Sequence, residues 1–104
     1  MTAWHATAPP FPANHPCLAG HFPGNPLIPG TLILERVVEC LGMRHPQAEL
    51  GEILWAKFLH PLKPDQEFNI FFRKEGKMVT FECRLNDTLL TTGKLSLASP
   101  GTPG

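Results

Sequence analysis

The sequence of 104 residues has little charge, few cysteines and no long apolar run. Lys plus Arg and Asp plus Glu number 9 each, so the net charge is zero, whereas binding to nucleic acid or to an anionic membrane needs a positive excess. The 3 cysteines have no CxxC spacing, which fits reduced thiols better than a disulfide scaffold. No apolar run approaches the length of a transmembrane helix, and residues 1–16 have neither the basic start nor the apolar stretch of a secretory signal. We therefore expect a cytoplasmic protein.

The length of the chain is that of one domain. We predict a single domain over residues 1–98 and a flexible tail over residues 99–104. Apolar residues make up 42% and charged residues only 17%, below the usual quarter or so. A small domain with so little charge indicates that part of its surface is buried against another chain.

A proline-rich segment precedes the first predicted helix. Seven of the 12 prolines lie within the first 30 residues, and because proline fixes φ and lacks a donor, residues 9–30 are predicted to be an ordered loop. A helix is predicted over residues 31–41, with Thr31 as its N-cap and Gly42 as its C-cap. Apolar residues cover most of its circumference, so we expect it to be buried.

The rest of the chain has the patterns of β-strands. Alternating or apolar segments at residues 50–59, 67–74, 78–85 and 88–98 are separated by turn signals, and a short strand is predicted near residues 3–8. This order predicts an α+β fold in which one curved antiparallel sheet wraps one helix. Because such a sheet covers only part of a helix, we expect a second copy of the chain to cover the rest.

Residues 20–35 read GHFPGNPLIPGTLILE and bring together groups that suit acid–base chemistry. His21 can titrate near neutral pH, and Glu35 places a carboxyl on a largely apolar helix. The backbone N–H groups of Gly30 and Thr31 open that helix, where they have no intrahelical acceptor. Elimination of water from a 3-hydroxyacyl thioester needs such a set: a base for the Cα proton, N–H donors for the enolate oxygen and an acid for the departing hydroxyl.

This segment resembles the signature of the β-hydroxyacyl–acyl-carrier-protein dehydratases of the hotdog fold, the FabA/FabZ type, which reads GHFPGxPxxPGxLxxE/D. With residues 15–19 in front of it, it is especially similar to the small dehydratases of aryl-polyene pigment clusters. The resemblance implies a hotdog homodimer that converts (3R)-3-hydroxyacyl thioesters on acyl carrier protein into trans-2-enoyl thioesters, in fatty acid, polyketide or pigment synthesis. It implies no metal or other cofactor, since phosphopantetheine is part of the substrate.

The resemblance also implies roles for single residues. His21 and Glu35 would be catalytic, with Glu35 contributed from the partner subunit. The N–H of Gly30, beside Thr31, would polarise the thioester carbonyl. The acyl tunnel would be shaped by three residues of the motif, namely Phe22, Pro23 and Pro29. The sequence departs from the usual pattern at Glu39, which stands where the larger dehydratases have a glutamine.

Two other functions stay open: a hotdog acyl thioesterase, and a non-catalytic acyl-binding or scaffolding subunit.

The structural alternative for Glu35 is an ion pair with Arg73 or Arg84. Four possible metal ligands lie in the first part of the chain, namely His5, His15, Cys17 and His21. Their spacing matches no usual zinc site. Cys40 and Cys83 lie in apolar stretches and are interpreted as core thiols.

Overall fold

The computed structural model describes residues 1–16 and 27–98. Within these ranges the elements are β1 (Thr2–Ala8), α1 (Gly30–Arg44), β2 (Glu49–Phe58), β3 (Phe68–Glu75), β4 (Met78–Leu85) and β5 (Thr88–Ala98). All strands pair antiparallel in one sheet of order β1-β3-β4-β5-β2. The predicted α+β architecture is therefore confirmed. The predicted tail, residues 99–104, lies outside the described residues, and no helix in the described ranges is long and apolar enough to cross a membrane.

The core lies between the helix and one face of the sheet. Alternation along β3 and β4 turns every second residue inward, and these residues are almost fully buried: Phe68, Ile70, Phe72, Val79, Phe81 and Cys83. The helix meets them with Leu32, Ile33, Val37, Cys40 and Leu41. Full burial of a Leu, Ile, Val or Phe side chain contributes about 1.5–3 kcal/mol, so this layer supplies much of the stability.

The tight turns of the sheet follow the sequence signals. Gly76 opens the turn between β3 and β4 at φ +62, and Asn86 opens the turn between β4 and β5 at φ +53. Gly and Asn accept positive φ at the lowest cost, which is why they dominate two-residue hairpin turns. Both turns fix the register of the strands that they join.

The helix is longer at both ends than the sequence predicted. It begins at Gly30, with Pro29 as N-cap and no side-chain cap, so the prediction of Thr31 as N-cap is wrong. It continues past Gly42 to Arg44 and ends at His45, so the predicted C-cap is wrong as well. The physical reason lies in the two prolines: Pro29 has the φ of −59 that proline fixes, and Pro46 disfavours helical backbone at His45, where φ is −129.

Only one side of the helix is buried in the single chain. Exposed residues form a stripe along it at helical spacing: Thr31, Glu35, Glu39 and Met43. The sheet of one chain therefore covers only part of the helix, as predicted, and burial of the remaining face would require a second copy of the chain. Leu34 and Val38 flank the stripe and are half-buried.

Gly42→Ala is expected to stabilise the protein. Gly42 is exposed inside the helix, its φ is not positive, and a Cβ at this position would meet nothing within 4 Å. Because alanine loses less backbone entropy than glycine in a helix, the free energy of unfolding should rise by about 0.5–1 kcal/mol. Thermal unfolding followed by circular dichroism tests this, and an unchanged or lower midpoint would contradict it.

Candidate active site

The amino end of α1 presents backbone donors that have no acceptor within the helix. The N–H groups of Leu32 and Ile33 donate to the Pro29 carbonyl at 3.0 and 3.4 Å, so the amides of Gly30 and Thr31 precede the first hydrogen bonds of the helix. Such amides have no acceptor within the helix, and they carry the positive end of its dipole. They can therefore donate to a carbonyl oxygen that develops negative charge.

A mostly apolar groove of about 450 Å³ opens beside these amides. The Ile28 N–H donates to the Leu62 carbonyl at 2.8 Å, which holds the segment before the helix against the segment after β2. The groove is lined by residues of these two segments and of the first helical turns: Ile28, Gly30, Thr31, Ile33, Leu34, Phe58, Leu59, His60, Pro61 and Leu62. A groove of this kind suits an acyl chain with one polar group held at the helix end.

A larger depression of about 600 Å³ lies on the other face of the sheet. His5, Phe71 and Trp55 are among its lining residues, and the His5 and Phe71 rings stack at 5.5 Å. None of the predicted site residues that the structure describes lines it. The groove at the helix end is therefore the better candidate site, although it is smaller.

Phe58 lies against Gly30, and sequence reasoning missed this residue. A Cβ built at Gly30 would lie 2.5 Å from Cε1 and 2.7 Å from Cζ of the Phe58 ring. The space left by the missing side chain of Gly30 is thus filled by a ring from the end of β2. No local signal could reveal this contact, because the two residues are far apart in the sequence.

Gly30→Ala is expected to destabilise the fold through this contact. The new Cβ would overlap the Phe58 ring, and overpacking of this kind costs about 1–3 kcal/mol. Adding Phe58→Ala removes the overlap, so the double variant should lose less than the sum of the two single losses. Chemical denaturation of the four proteins measures this coupling, and simple additivity would contradict it.

Glu35 is exposed to solvent in the single chain, on the face of the helix that the sheet leaves open. It lies one helical turn after Thr31, which lines the groove, and the two residues share one side of the helix. In the described part of the chain Glu35 forms no ion pair, and Arg84 instead contacts Glu82 at 3.1 Å. The proposed pairing of Glu35 with an arginine of the sheet is therefore not observed among these residues.

Glu39 has a partner on its own helix. Its carboxylate lies 3.9 Å from the Arg36 guanidinium, which also sits 4.4 Å above the centre of the Phe11 ring. Glu39 is exposed at the surface. These contacts and its exposure favour a structural or surface role for Glu39.

The other members of the predicted site differ in what the structure says of them. His21, Phe22 and Pro23 lie outside the described residues, so their roles stay predictions. Pro29 is the N-cap of α1 and is not a lining residue of the groove, and its role in an acyl tunnel also stays a prediction. The described site thus consists of the Gly30 and Thr31 amides, the groove and Glu35 one turn further along the helix.

The thiols of Cys40 and Cys83 are buried core groups, as predicted. Burial raises the pKa of Cys83 to about 12 and also raises the pKa of Cys40. Since the thiolate is the nucleophilic form, neither thiol is suited to covalent catalysis at neutral pH. Among the described residues no three or more His, Cys, Asp or Glu side chains are grouped so that they could hold a metal ion.

A helix wrapped by one antiparallel sheet in this order defines a hotdog fold. A family model described as ApeI-like, ApeI dehydratase, matches residues 4–94. The chain therefore belongs to the ApeI-like dehydratase family.

Two curated relatives are similar to part of this chain. The 3-hydroxyacyl-[acyl-carrier-protein] dehydratase FabZ of Haemophilus influenzae strain PittEE is 37% identical over 78 residues, which are 64% of this chain and 53% of the relative. The FabZ of Fusobacterium nucleatum subsp. nucleatum is 39% identical over 57 residues, 49% of this chain and 40% of the relative. The chain spans about half the length of the first of these relatives.

Two solved structures share the fold. The dehydratase heterocomplex ApeI:P from Xenorhabdus doucetiae superposes with a TM-score of 0.77 at 21% identity, over 94% of this chain and 95% of that one. An uncharacterized protein from Erwinia carotovora subsp. atroseptica gives a TM-score of 0.71 at 22% identity, over 93% of this chain and 83% of that one.

Proposed function

We propose that this chain dehydrates (3R)-3-hydroxyacyl thioesters, carried by an acyl carrier protein, to trans-2-enoyl thioesters. The observation that carries the proposal is the apolar groove that meets two amides without an acceptor in the helix, within the dehydratase-like motif. The 3-hydroxyacyl-[acyl-carrier-protein] dehydratases named among the relatives support the reaction type. Fatty acid, polyketide and aryl-polyene synthesis are the pathways that use such a step.

In the proposed reaction the thioester carbonyl oxygen accepts a hydrogen bond from the Gly30 N–H, beside Thr31. His21 and Glu35 divide the two proton transfers: one removes the Cα proton, and the other protonates the hydroxyl on Cβ as it leaves as water. The electron pair of the Cα–H bond forms the double bond while the Cβ–O bond breaks. No electrons enter or leave, so the reaction requires no redox cofactor, and the side chains supply the acid and the base.

We further propose that the active unit is a homodimer formed along β2. Within the described residues β2 pairs with β5 on one side only, which leaves a ten-residue edge. Its large apolar side chains are 39–52% exposed, namely Leu50, Ile53, Leu54, Trp55 and Phe58. A long apolar edge is a template for pairing with another strand. A second copy would also cover the exposed stripe of α1 and bring Glu35 to the site of its neighbour.

An acyl carrier protein is the proposed partner that delivers the substrate, and we expect the reaction to take place in the cytoplasm. Lys63 is exposed and directly follows the groove residues 58–62. A cation next to the groove would complement an acidic carrier, mainly by raising the association rate.

The test is to incubate the wild-type protein with 3-hydroxyacyl–acyl carrier protein and to follow enoyl thioester by its ultraviolet absorbance. We expect enoyl product from the wild type and none from His21→Ala. Free carrier thiol in place of enoyl product would indicate the thioesterase instead. A folded dimer that gives neither product would indicate the non-catalytic subunit.

A further inference from the structure

The Phe58 ring is held at the groove although it is not a core residue. Phe58 ends β2 and pairs with the buried Thr91, so its side chain projects toward the helix side of the sheet. The next two amides, of Leu59 and His60, donate to the Leu90 carbonyl at 2.8 and 3.2 Å. The backbone on both sides of Phe58 is therefore fixed, which keeps its Cα–Cβ bond directed toward the helix side of the sheet.

One side of this ring packs on Gly30, and the other faces open space. The contact with Gly30 fills the position where a Cβ would be, at 2.5–3.0 Å from three ring carbons. Phe58 is nevertheless 52% exposed and lines the groove. The ring therefore lines the groove beside the amides of Gly30 and Thr31, where a ligand held at the helix end would pass it.

We propose that Phe58 is a specificity-determining residue, whose ring limits the width of the acyl chain next to the thioester. The proposal rests on the dehydratase function proposed above. A carbonyl oxygen bound to the Gly30 N–H lies about 2.9 Å from that nitrogen. Cβ and Cγ of the acyl chain are then only a few bonds away, so they pass beside the ring. A straight chain fits along an apolar ring, whereas a branch or an aryl group at Cγ meets it.

The test compares Phe58→Leu with Phe71→Leu as the matched control. Phe71 is 42% exposed on the other face of the sheet, where it stacks on His5 and lies away from the groove. The measured quantity is the ratio of kcat/KM for a 3-hydroxyacyl thioester branched at Cγ to that for the straight chain of equal carbon number. We expect Phe58→Leu to raise this ratio about tenfold or more, and Phe71→Leu to leave it unchanged.

Equal ratios in the wild type and both variants would overturn the proposal and reduce Phe58 to a packing residue. The inference can also fail separately from the proposed function. If the wild type dehydrates nothing, binding of two non-reacting acyl-pantetheine amides, one straight and one branched at Cγ, is measured by calorimetry. A relative gain for the branched amide in Phe58→Leu alone supports the width limit, and unchanged relative affinities contradict it.

Discussion

Glu35→Gln is expected to lower the rate of the proposed enoyl thioester formation by about 10²–10⁴-fold, the usual contribution of a positioned acid or base. Glutamine keeps the size and hydrogen-bonding reach of the side chain, but it can neither release nor take up a proton at the pH of the assay. Glu35 is exposed and forms no ion pair in the described part of the chain, so its replacement removes no packing contact. Surface changes of this kind alter stability by only about 0.5 kcal/mol.

Glu39→Gln is the matched control, because Glu39 is the same residue type on the same exposed stripe, one turn further along the helix. Its replacement removes only the 3.9 Å ion pair with Arg36. We expect it to change the rate less than about threefold, since an exposed i,i+3 pair contributes little. If both variants lose activity equally, or if Glu35→Gln keeps it, Glu35 is not the catalytic carboxyl.

The strands and their positions along the chain could be predicted from the sequence because they depend on local alternation. In β3 the buried Phe68, Ile70 and Phe72 alternate with less buried residues, and turn residues stand at both ends. The motif that carries the candidate site is also local, since it places two amides and a carboxyl within the first turns of one helix. Interactions between neighbours in the sequence thus explain what was predicted correctly.

The contacts between distant segments could not be predicted in this way. The residue that meets Gly30 comes from the end of another element, so the glycine could be interpreted only as room for a ligand. The exposure of Glu35 depends on how far one sheet reaches around the helix, which composition does not reveal. The same holds for the helix ends, where the effect of two prolines outweighed the preferences of Thr31 and Gly42.

Glu52 and Lys57 are expected to determine how two copies pair along β2. Glu52 lies opposite Ser96 and Lys57 opposite Thr92, and both of these β5 residues alternate with its buried positions. Glu52 and Lys57 therefore project from the outer face of the sheet. Five positions apart, they would face opposite sides in a regular strand, but the register shift between Ile53 and Trp55 places them on one side.

Antiparallel self-pairing about the middle of β2 brings Glu52 of each copy opposite Lys57 of the other. This register also sets Ile53 opposite Ala56, and both of these residues lie on the inner face because they pair with the buried Leu95 and Gly93. Each dimer then contains two cross-strand pairs of opposite charge. Such a pair contributes roughly 0.2–1 kcal/mol, and like charges in the same place are unfavourable.

Glu52→Lys alone or Lys57→Glu alone turns both attractions into repulsions, so each variant should self-associate about tenfold to a hundredfold more weakly than the wild type. An equimolar mixture of the two variants restores pairing between unlike chains. In the mixed dimer one cross-strand pair joins the two native side chains, and the other joins the two introduced side chains with their charges exchanged. Sedimentation analysis of each variant and of the mixture measures how strongly the chains associate. Recovery of the dimer only in the mixture supports self-pairing in this register. Unchanged dimers in all three samples would place the interface elsewhere, and a wild-type monomer would contradict the homodimer itself.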